Sequence, residues 1–203
     1  MREAFRRRGH DAWSCDILPA ADESQYHHKC PVQWVLAEPD YWKWDMMIAF
    51  PPCTYLCGSG LHWNKKDPER AKKTEEALDF VHQLLNAPIE RVALENPIGC
   101  ISTRIRKPDQ IIQPYQFGHD ASKATCLWLK NLPALQPTKQ IQPRMVNGKP
   151  RWGNQTDSGQ NRLGPSPNRW KLRSITYIGI AEAMAEQWSN LDSPSSSTGS
   201  SPA

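Results

Sequence analysis

The chain of 203 residues has a formal net charge of +4 at pH 7, 38% hydrophobic residues and a mean hydropathy of −0.68. This length suits one globular domain with its own core, and no apolar run approaches the roughly 20 residues that cross a bilayer. Residues 1–13 are charged and lack the apolar stretch of a secretory signal, so we predict neither export nor a membrane partner. The mild positive charge favours an anionic partner such as DNA.

The cysteine spacing gives no indication of a metal site. The chain contains six cysteines but no C-x-x-C pair, so we expect no structural zinc and no other bound metal. Reduced thiols, most of them packed in the interior, are expected instead. The six are Cys15, Cys30, Cys53, Cys57, Cys100 and Cys126.

The first predicted elements are a helix and two strands. A basic helix is predicted over residues 2–9, because Gly9 after an arginine-rich last turn is typical of a helix C-terminus. Residues 12–19 predict a short strand, and residues 20–43 are expected to be irregular. Residues 44–50, WDMMIAF, form a continuous apolar run typical of a strand buried on both faces of a parallel sheet.

A long amphipathic helix is predicted next. Asp67 is a favourable N-cap and Pro68 a favourable first helical residue. Residues 91–97, RVALENP, predict another buried strand, and this alternation of helices and strands favours an α/β doubly wound sheet. The apolar face of the helix is expected to consist of Ala77, Leu78, Val81, Leu84 and Leu85.

The C-terminal third predicts a connector, a strand and a helix. Residues 102–118 form a basic connector with aromatic residues, and residues 125–131 predict a strand that ends at Asn131. Residues 178–188, IGIAEAMAEQW, predict a final amphipathic helix.

A polar stretch near residues 144–170 interrupts the predicted elements. We interpret it as a long loop or a small insertion, whose basic residues form a solvated face or contact DNA. Residues 1–189 are expected to form one domain that includes this insertion, and residues 190–203 a disordered, Ser-rich tail. The basic residues of the insertion are Arg144, Lys149, Arg151, Arg162 and Arg169.

Polar residues and prolines follow three of the predicted strands. In open α/β sheets, ligands bind beyond the carboxyl ends of the strands. The ends here carry Asp16, the Pro51-Pro52-Cys53 turn and the Glu95-Asn96-Pro97 segment. The two prolines fix φ and withhold backbone donors, so they direct the chain out of the sheet and the thiol towards the cleft. We therefore expect these groups to converge on one rim.

These motifs resemble those of DNA cytosine-5 methyltransferases. Pro52-Cys53 after a buried strand resembles the catalytic Pro-Cys motif of that family, and Glu95-Asn96 at the end of the next strand resembles its Glu-Asn motif. More closely, residues 2–188 resemble the small phage and prophage proteins of this family. The segments that carry the resemblance are EAFRRRGHDAWSCDILPA, PPCTYL, EEALDFV, ALENP, RIRKPDQIIQP, CLWLKNLP and AMAEQW.

The resemblance implies a Rossmann-like S-adenosylmethionine-dependent methyltransferase fold and a monomer that acts on DNA in the cytoplasm of a bacterial host. Cys53 would be the nucleophile that adds to C6 of cytosine, and Glu95 would hydrogen-bond N3 of the flipped base. S-adenosylmethionine would be held by Asp16, at its ribose, and by Phe50, Pro52 and Gly179. DNA would be contacted by Arg104, Arg106 and Lys123.

The sequence also departs from the family pattern. The family opens with a strand and a glycine-bearing loop that hold the cofactor, and we expect this chain to lack both. At residues 30–32, where related proteins carry a segment that resembles Gly-Asp-Val, this chain has Cys-Pro-Val. Pro31 cannot make the contact that the aspartate makes. Residues 144–170 are too few for the usual target-recognition domain.

Other interpretations of single residues remain open. Cys53 could be an ordinary buried cysteine, Glu95 a capping carboxylate and Asp16 a turn residue. Tryptophans near the predicted rim could stack on a base or belong to the core. They are Trp42, Trp44 and Trp63.

Two other functions are compatible with the sequence. The first is an amino-methyltransferase, since FPPC at residues 50–53 superficially resembles the Asn-Pro-Pro-Tyr loop of those enzymes. However, Phe50 and Cys53 lack the polar acceptor and the stacking ring that the loop requires. The second is a truncated, catalytically inactive relative that at most binds DNA.

Overall fold

The structure, a computed structural model, describes residues 1–38, 43–167, 169–189 and 191. Trp42 lies outside the described residues, and so does the tail predicted over residues 190–203, apart from Leu191. The described part of the chain has a mixed α/β architecture with one four-stranded sheet and two two-stranded sheets. None of its helices combines the length and apolar character that crossing a membrane requires.

The helices range from single turns to one long helix. In chain order they are α1 (Arg2–Arg6), α2 (Val32–Leu36), α3 (Pro68–Leu85), α4 (Ile101–Arg104), α5 (Arg169–Ser174) and α6 (Ile178–Trp188). Two 3-10 helices span Gly58–Lys65 and Pro114–Gln116.

The strands are mostly short. They are β1 (Ser14–Asp16), β2 (His27–Lys29), β3 (Met46–Ala49), β4 (Arg91–Pro97), β5 (Gln110–Ile112), β6 (Thr125–Lys130), β7 (Arg144–Val146) and β8 (Lys149–Arg151).

Helix α1 ends in a glycine motif, as the sequence predicts. Gly9 adopts φ +86°, in the left-handed region, and its N–H donates to the Arg6 carbonyl at 2.9 Å. The N–H of His10 reaches back to the Phe5 carbonyl at 3.3 Å. These two bonds form a Schellman motif, which satisfies carbonyls at the helix end that would otherwise lack a partner.

Helix α3 confirms the predicted cap and apolar face. The Asp67 side chain accepts a hydrogen bond from the N–H of Arg70 at 3.0 Å, and Pro68 is the first helical residue. Leu78, Val81 and Leu84 are buried against the sheet, while the flanking members of the predicted face are partly buried.

The main sheet has the strand order β3-β4-β6-β5 and is mixed. β3 and β4 are parallel, whereas β6 is antiparallel to both of its neighbours. The expected doubly wound parallel arrangement is therefore limited to β3–β4 and, in a separate two-stranded sheet, to β1–β2. Residues 113–124 between β5 and β6 contain a 3-10 turn instead of the crossover helix that parallel neighbours need.

Strand β4 is the centre of the core. Val92, Ala93 and Leu94 have no exposed surface. Leu94 packs in the cluster that contains α3, and Ala93 packs on the other face with α1 and α6. A three-layer arrangement of helix, sheet and helix follows from this alternation.

Helices α1 and α6 pack together on the face of the sheet opposite to α3. Phe5 of α1 packs in the same cluster as Met184 and Trp188 of α6. At the surface, Arg8 donates to the Glu182 carboxylate at 2.9 Å, and Arg7 pairs with the same carboxylate. Because exposed ion pairs contribute little, the buried apolar side chains supply most of the stabilisation of this contact.

Strand β3 pairs with only one neighbour in the described part of the chain, namely β4. Both of its faces contact the core: Met46 and Ile48 pack against one cluster and Met47 against the other. These three side chains are nevertheless only partly buried, which differs from the fully buried strand that the sequence predicts. The difference arises because β3 lies at an edge of the sheet.

Two segments contain more structure than the sequence predicts. Residues 20–43 were expected to be irregular but contain β2 and α2, which are too short to produce a periodic apolar pattern. The insertion over residues 144–170 contains the β7–β8 hairpin and the start of α5. Its turn is Asn147-Gly148, both with positive φ, and an Asn-Gly pair is a recognised hairpin signal that our interpretation missed.

We expect Gly99→Ala to destabilise the chain, because the added Cβ would overlap the Leu56 carbonyl oxygen. Backbone atoms cannot yield as a flexible side chain does, so the free energy of unfolding should fall by about 1–3 kcal/mol. Urea unfolding followed by tryptophan fluorescence measures the loss. Gly164→Ala is the control, since nothing lies within 4 Å of its added Cβ; equal losses in the two variants would contradict the steric explanation.

Candidate functional site

The turn after β3 presents a cysteine at the surface. Pro51 is buried, while Pro52 and Cys53 are exposed. The Cys53 carbonyl accepts hydrogen bonds from the N–H groups of Leu56 at 3.1 Å and Cys57 at 2.9 Å. Leu56 is fully buried. The chain thus makes a helical turn directly after Cys53, and Leu56 anchors that turn in the core.

A buried asparagine attaches this turn to the neighbouring strand. Asn96 of β4 is 1% exposed, and its Nδ2 donates to the Pro51 carbonyl at 2.8 Å. An unmade hydrogen bond in such a buried place costs about 1–3 kcal/mol, so this contact fixes the turn relative to β4. The Asn96 Oδ1 atom has no hydrogen-bond partner among the described residues.

The segments after β3 and β4 are also joined through their backbones. The N–H of Gly58 donates to the Ile98 carbonyl at 3.2 Å, and the N–H of Cys100 donates to the Leu56 carbonyl at 2.9 Å. Gly99 lies at this crossing, where a side chain would collide with Leu56. The segment that carries Cys53 and the strand that carries Glu95 are therefore held as one unit.

Glu95 occupies a partly buried position beside a lysine. Burial raises the pKa of the Glu95 carboxyl, and the charge of Lys123 and a hydrogen bond with the Thr125 side chain oppose the increase. Thr125 is diagonal to Glu95 across the β4–β6 pair, since Glu95 is opposite Leu127. The net effect favours the protonated acid more than in water.

Cys53 shares its electrostatic surroundings with Glu95. Partial burial raises the pKa of the Cys53 thiol, the neighbouring Cys57 thiol and the Glu95 carboxylate add to the increase, and Lys123 opposes it. Lys123 thus acts on both groups, and its Nζ donates to the Arg173 carbonyl at 3.0 Å. The family resemblance implies only DNA contact for Lys123, whereas in the structure its charge also acts on the thiol and the carboxyl.

The residues assigned to the cofactor lie in three places. Phe50, 42% exposed, and Pro52 belong to the turn that carries Cys53. Gly179 is the second residue of α6, where its N–H donates to Nε2 of His119 at 2.8 Å and a side chain would overlap the Phe117 carbonyl.

Asp16 lies apart from the main sheet. It ends β1, which pairs with β2 alone in the described ranges. Its side chain is exposed, and Oδ1 accepts a hydrogen bond from the N–H of Leu18 at 2.9 Å. Asp16 therefore acts as a turn residue, which is the alternative that the sequence left open.

The two candidate DNA-binding arginines are engaged within the chain. Arg104 donates two hydrogen bonds to the Glu75 carboxylate, at 3.0 and 2.8 Å. Arg106 donates to Asp109 at 2.7 Å and to the Leu129 carbonyl at 3.0 Å, near the end of β6 opposite to Thr125. The structure does not bring either arginine together with Cys53 and Glu95.

Of the three candidate tryptophans, Trp44 and Trp63 lie within the described residues, and their surroundings differ. Trp63 is 52% exposed; its ring lies 4.9 Å from the His62 ring, and Lys66 Nζ lies over it at 5.6 Å from the centroid. Trp44 packs against the cluster of Ala87 and Val92 and is part of the core.

Sequence reasoning missed three contacts of the site. They are the Asn96–Pro51 tether, the Thr125 contact to Glu95 and the His119 cap of α6, each of which joins residues far apart in the chain. Only a knowledge of the β4–β6 register would have placed Thr125 beside Glu95.

No group of three or more potential metal ligands occurs among the described residues. Comparison of the chain with protein-family models, curated proteins and solved structures finds no match. The function must therefore be inferred from the chemistry of the site itself.

We expect Glu95→Gln to stabilise the chain at about pH 8 and to lose this advantage at about pH 4. Burial raises the pKa of Glu95 in the folded state, so folding favours its protonated form. The stability that this provides is present below the unfolded pKa and is lost as the pH rises through the folded pKa. A neutral amide avoids that loss.

Urea unfolding of wild type and Glu95→Gln at several pH values measures this effect. The control is Glu76→Gln, which changes an exposed glutamate on α3. An unchanged difference in unfolding free energy between pH 4 and 8 for Glu95→Gln would contradict the raised pKa.

Proposed function

We propose that the chain is a DNA cytosine-5 methyltransferase-like protein that acts on a flipped cytosine through a Cys53 adduct. The observation that carries the proposal is the pairing of an exposed thiol with a carboxyl whose pKa is raised, on two segments joined by the Asn96–Pro51 hydrogen bond. Methyl transfer to C5 of cytosine requires a nucleophile and an acid held in fixed relative positions.

The roles of the two groups follow from cytosine chemistry. The Cys53 thiolate forms a bond to C6, and the electron pair of the C5–C6 double bond moves towards C5 and N3. Glu95 in its protonated form donates a hydrogen bond to N3 as negative charge builds there. Once C5 has accepted the methyl group that the cofactor would supply, the C5 proton leaves to water. The electron pair of that C–H bond restores the C5–C6 double bond, and the C6–S bond breaks to release the Cys53 thiolate.

Lys123 supports both roles. Its positive charge opposes the increase in the Cys53 pKa and so favours the thiolate. The same charge limits the increase in the Glu95 pKa. With Nζ held by the Arg173 carbonyl, the ammonium stays near the site, where it can also meet a phosphate.

We propose that S-adenosylmethionine binds at the turn after β3, beside Phe50 and Pro52. The Phe50 ring offers exposed apolar surface beside the turn, and Asp16 is exposed with acceptor capacity beyond its bond to Leu18. When bound, the cofactor supplies an electrophilic methyl group. Phe50, Pro52, Asp16 and Gly179 would hold it.

The parallel β3–β4 pair supports the finer fold assignment that we propose, a Rossmann-like methyltransferase fold. Two parallel pairs, β1–β2 and β3–β4, lie in separate sheets, and β3 has an edge without a strand partner in the described ranges. An antiparallel strand beside parallel ones is common in doubly wound sheets.

The same observation favours a second candidate, a catalytically inactive relative that at most binds DNA. A separate β1–β2 pair leaves Asp16 without support from the main sheet. Cofactor binding distinguishes the two candidates.

We expect Cys53→Ala to abolish covalent trapping on duplex DNA that contains 5-fluorocytosine, in the presence of S-adenosylmethionine. Fluorine at C5 cannot leave as a proton does, so the sulfur adduct persists. Gel electrophoresis under denaturing conditions measures the adduct. Cys57→Ala is the control and should retain trapping; equal trapping by wild type and Cys53→Ala would rule out Cys53 as the nucleophile.

We expect S-adenosylmethionine to bind the chain with micromolar affinity and Phe50→Ala to weaken binding about tenfold, because the aromatic surface is lost. Isothermal titration calorimetry measures both. Ile111→Ala, which removes a similarly exposed apolar side chain from β5, is the control. Absence of binding by the wild-type chain would favour the inactive relative.

A further inference from the structure

Two cysteines outside the proposed active site lie within contact distance of each other. Cys15 is in β1, and Cys30 directly follows β2, its parallel partner. The two sulfur atoms are 3.9 Å apart, and the Cys15 thiol donates to the Cys30 carbonyl at 3.3 Å. Of the other four cysteines, Cys53 and Cys57 lie in the turn after β3, Cys100 precedes α4 and Cys126 lies in β6.

The pair is accessible and closely placed. Both cysteines are partly exposed, so a small reagent can reach them. A disulfide has an S–S length of about 2.05 Å, so closure needs a sulfur displacement of about 2 Å, which side-chain rotation with small backbone adjustment can supply. Cys30 is followed by Pro31, the N-cap of α2, so a bond here would link β1 to the start of α2.

We propose that Cys15 and Cys30 form a thiol pair that closes to a disulfide by exchange with a low-molecular-weight disulfide, such as oxidised glutathione. The proposal concerns the β1–β2 pair and does not depend on the methyltransferase assignment.

The exchange has two steps that balance. The Cys30 thiolate attacks one sulfur of oxidised glutathione, and the first glutathione leaves as its thiolate. The Cys15 sulfur, after losing its proton, then attacks the Cys30 sulfur of the mixed disulfide and expels the second glutathione. Two protein thiols are oxidised, and one glutathione disulfide is reduced to two thiols.

The surroundings of Cys15 support this order. Burial and the neighbouring Cys30 raise the pKa of Cys15 to about 12, so Cys15 is the poorer first nucleophile. Once Cys30 carries glutathione, it is no longer a thiol or thiolate, and its contribution to that increase disappears. Proximity then favours attack within the chain.

Peptide mapping after incubation of the full chain with oxidised glutathione tests the proposal. Trypsin separates the two cysteines, since Arg8 and Lys29 bound a peptide that contains Cys15, and Cys30 begins the next one. We expect the intact chain to lose two hydrogens and the digest to contain residues 9–29 linked to residues 30–43. Dithiothreitol should abolish the link.

Single variants verify the assignment. Cys15→Ser should lose the linked peptides and accumulate one glutathione on Cys30, whereas Cys57→Ser should form the link as wild type does. Because wild type is mapped directly, the result does not depend on the folding of any variant. Two free thiols at Cys15 and Cys30 after prolonged incubation, or a link between other cysteines instead, would overturn the proposal.

Discussion

The hydrogen bond from Asn96 to the Pro51 carbonyl is the constraint on which the candidate site depends. A turn with two consecutive prolines has few backbone donors of its own. Its position must therefore be fixed from outside, and a fully buried amide on β4 does so. Cys53 and Glu95 keep their relative positions because the turn and the strand are joined at this hydrogen bond and again at Gly99.

The electrostatics of the site follow from the same arrangement. Glu95 lies on the most buried strand of the sheet, so its charge is poorly solvated, and Lys123 is the cation that acts on it. The same lysine acts on Cys53. A carboxyl whose pKa is raised and a thiol whose pKa is raised thus share one cationic neighbour, which opposes both increases.

Much of this architecture can be predicted from the sequence where local chemistry decides it. The Asp67-Pro68 start of α3, the glycine end of α1 and the buried Val-Ala-Leu segment of β4 each have a local cause. The mixed sheet could not be foreseen, because strand direction depends on how β6 returns along β4. The Thr125 and His119 contacts are likewise products of register and packing between distant residues.

The packing of α1 against α6 has a consequence for biosynthesis. Phe5 and Trp188 occupy one cluster although almost the entire chain separates them. Loop closure over so long a separation is entropically costly and raises the contact order, which slows folding. On the ribosome, the apolar face of α1 emerges long before α6 is synthesised, so the nascent polypeptide exposes that surface while the intervening residues are translated.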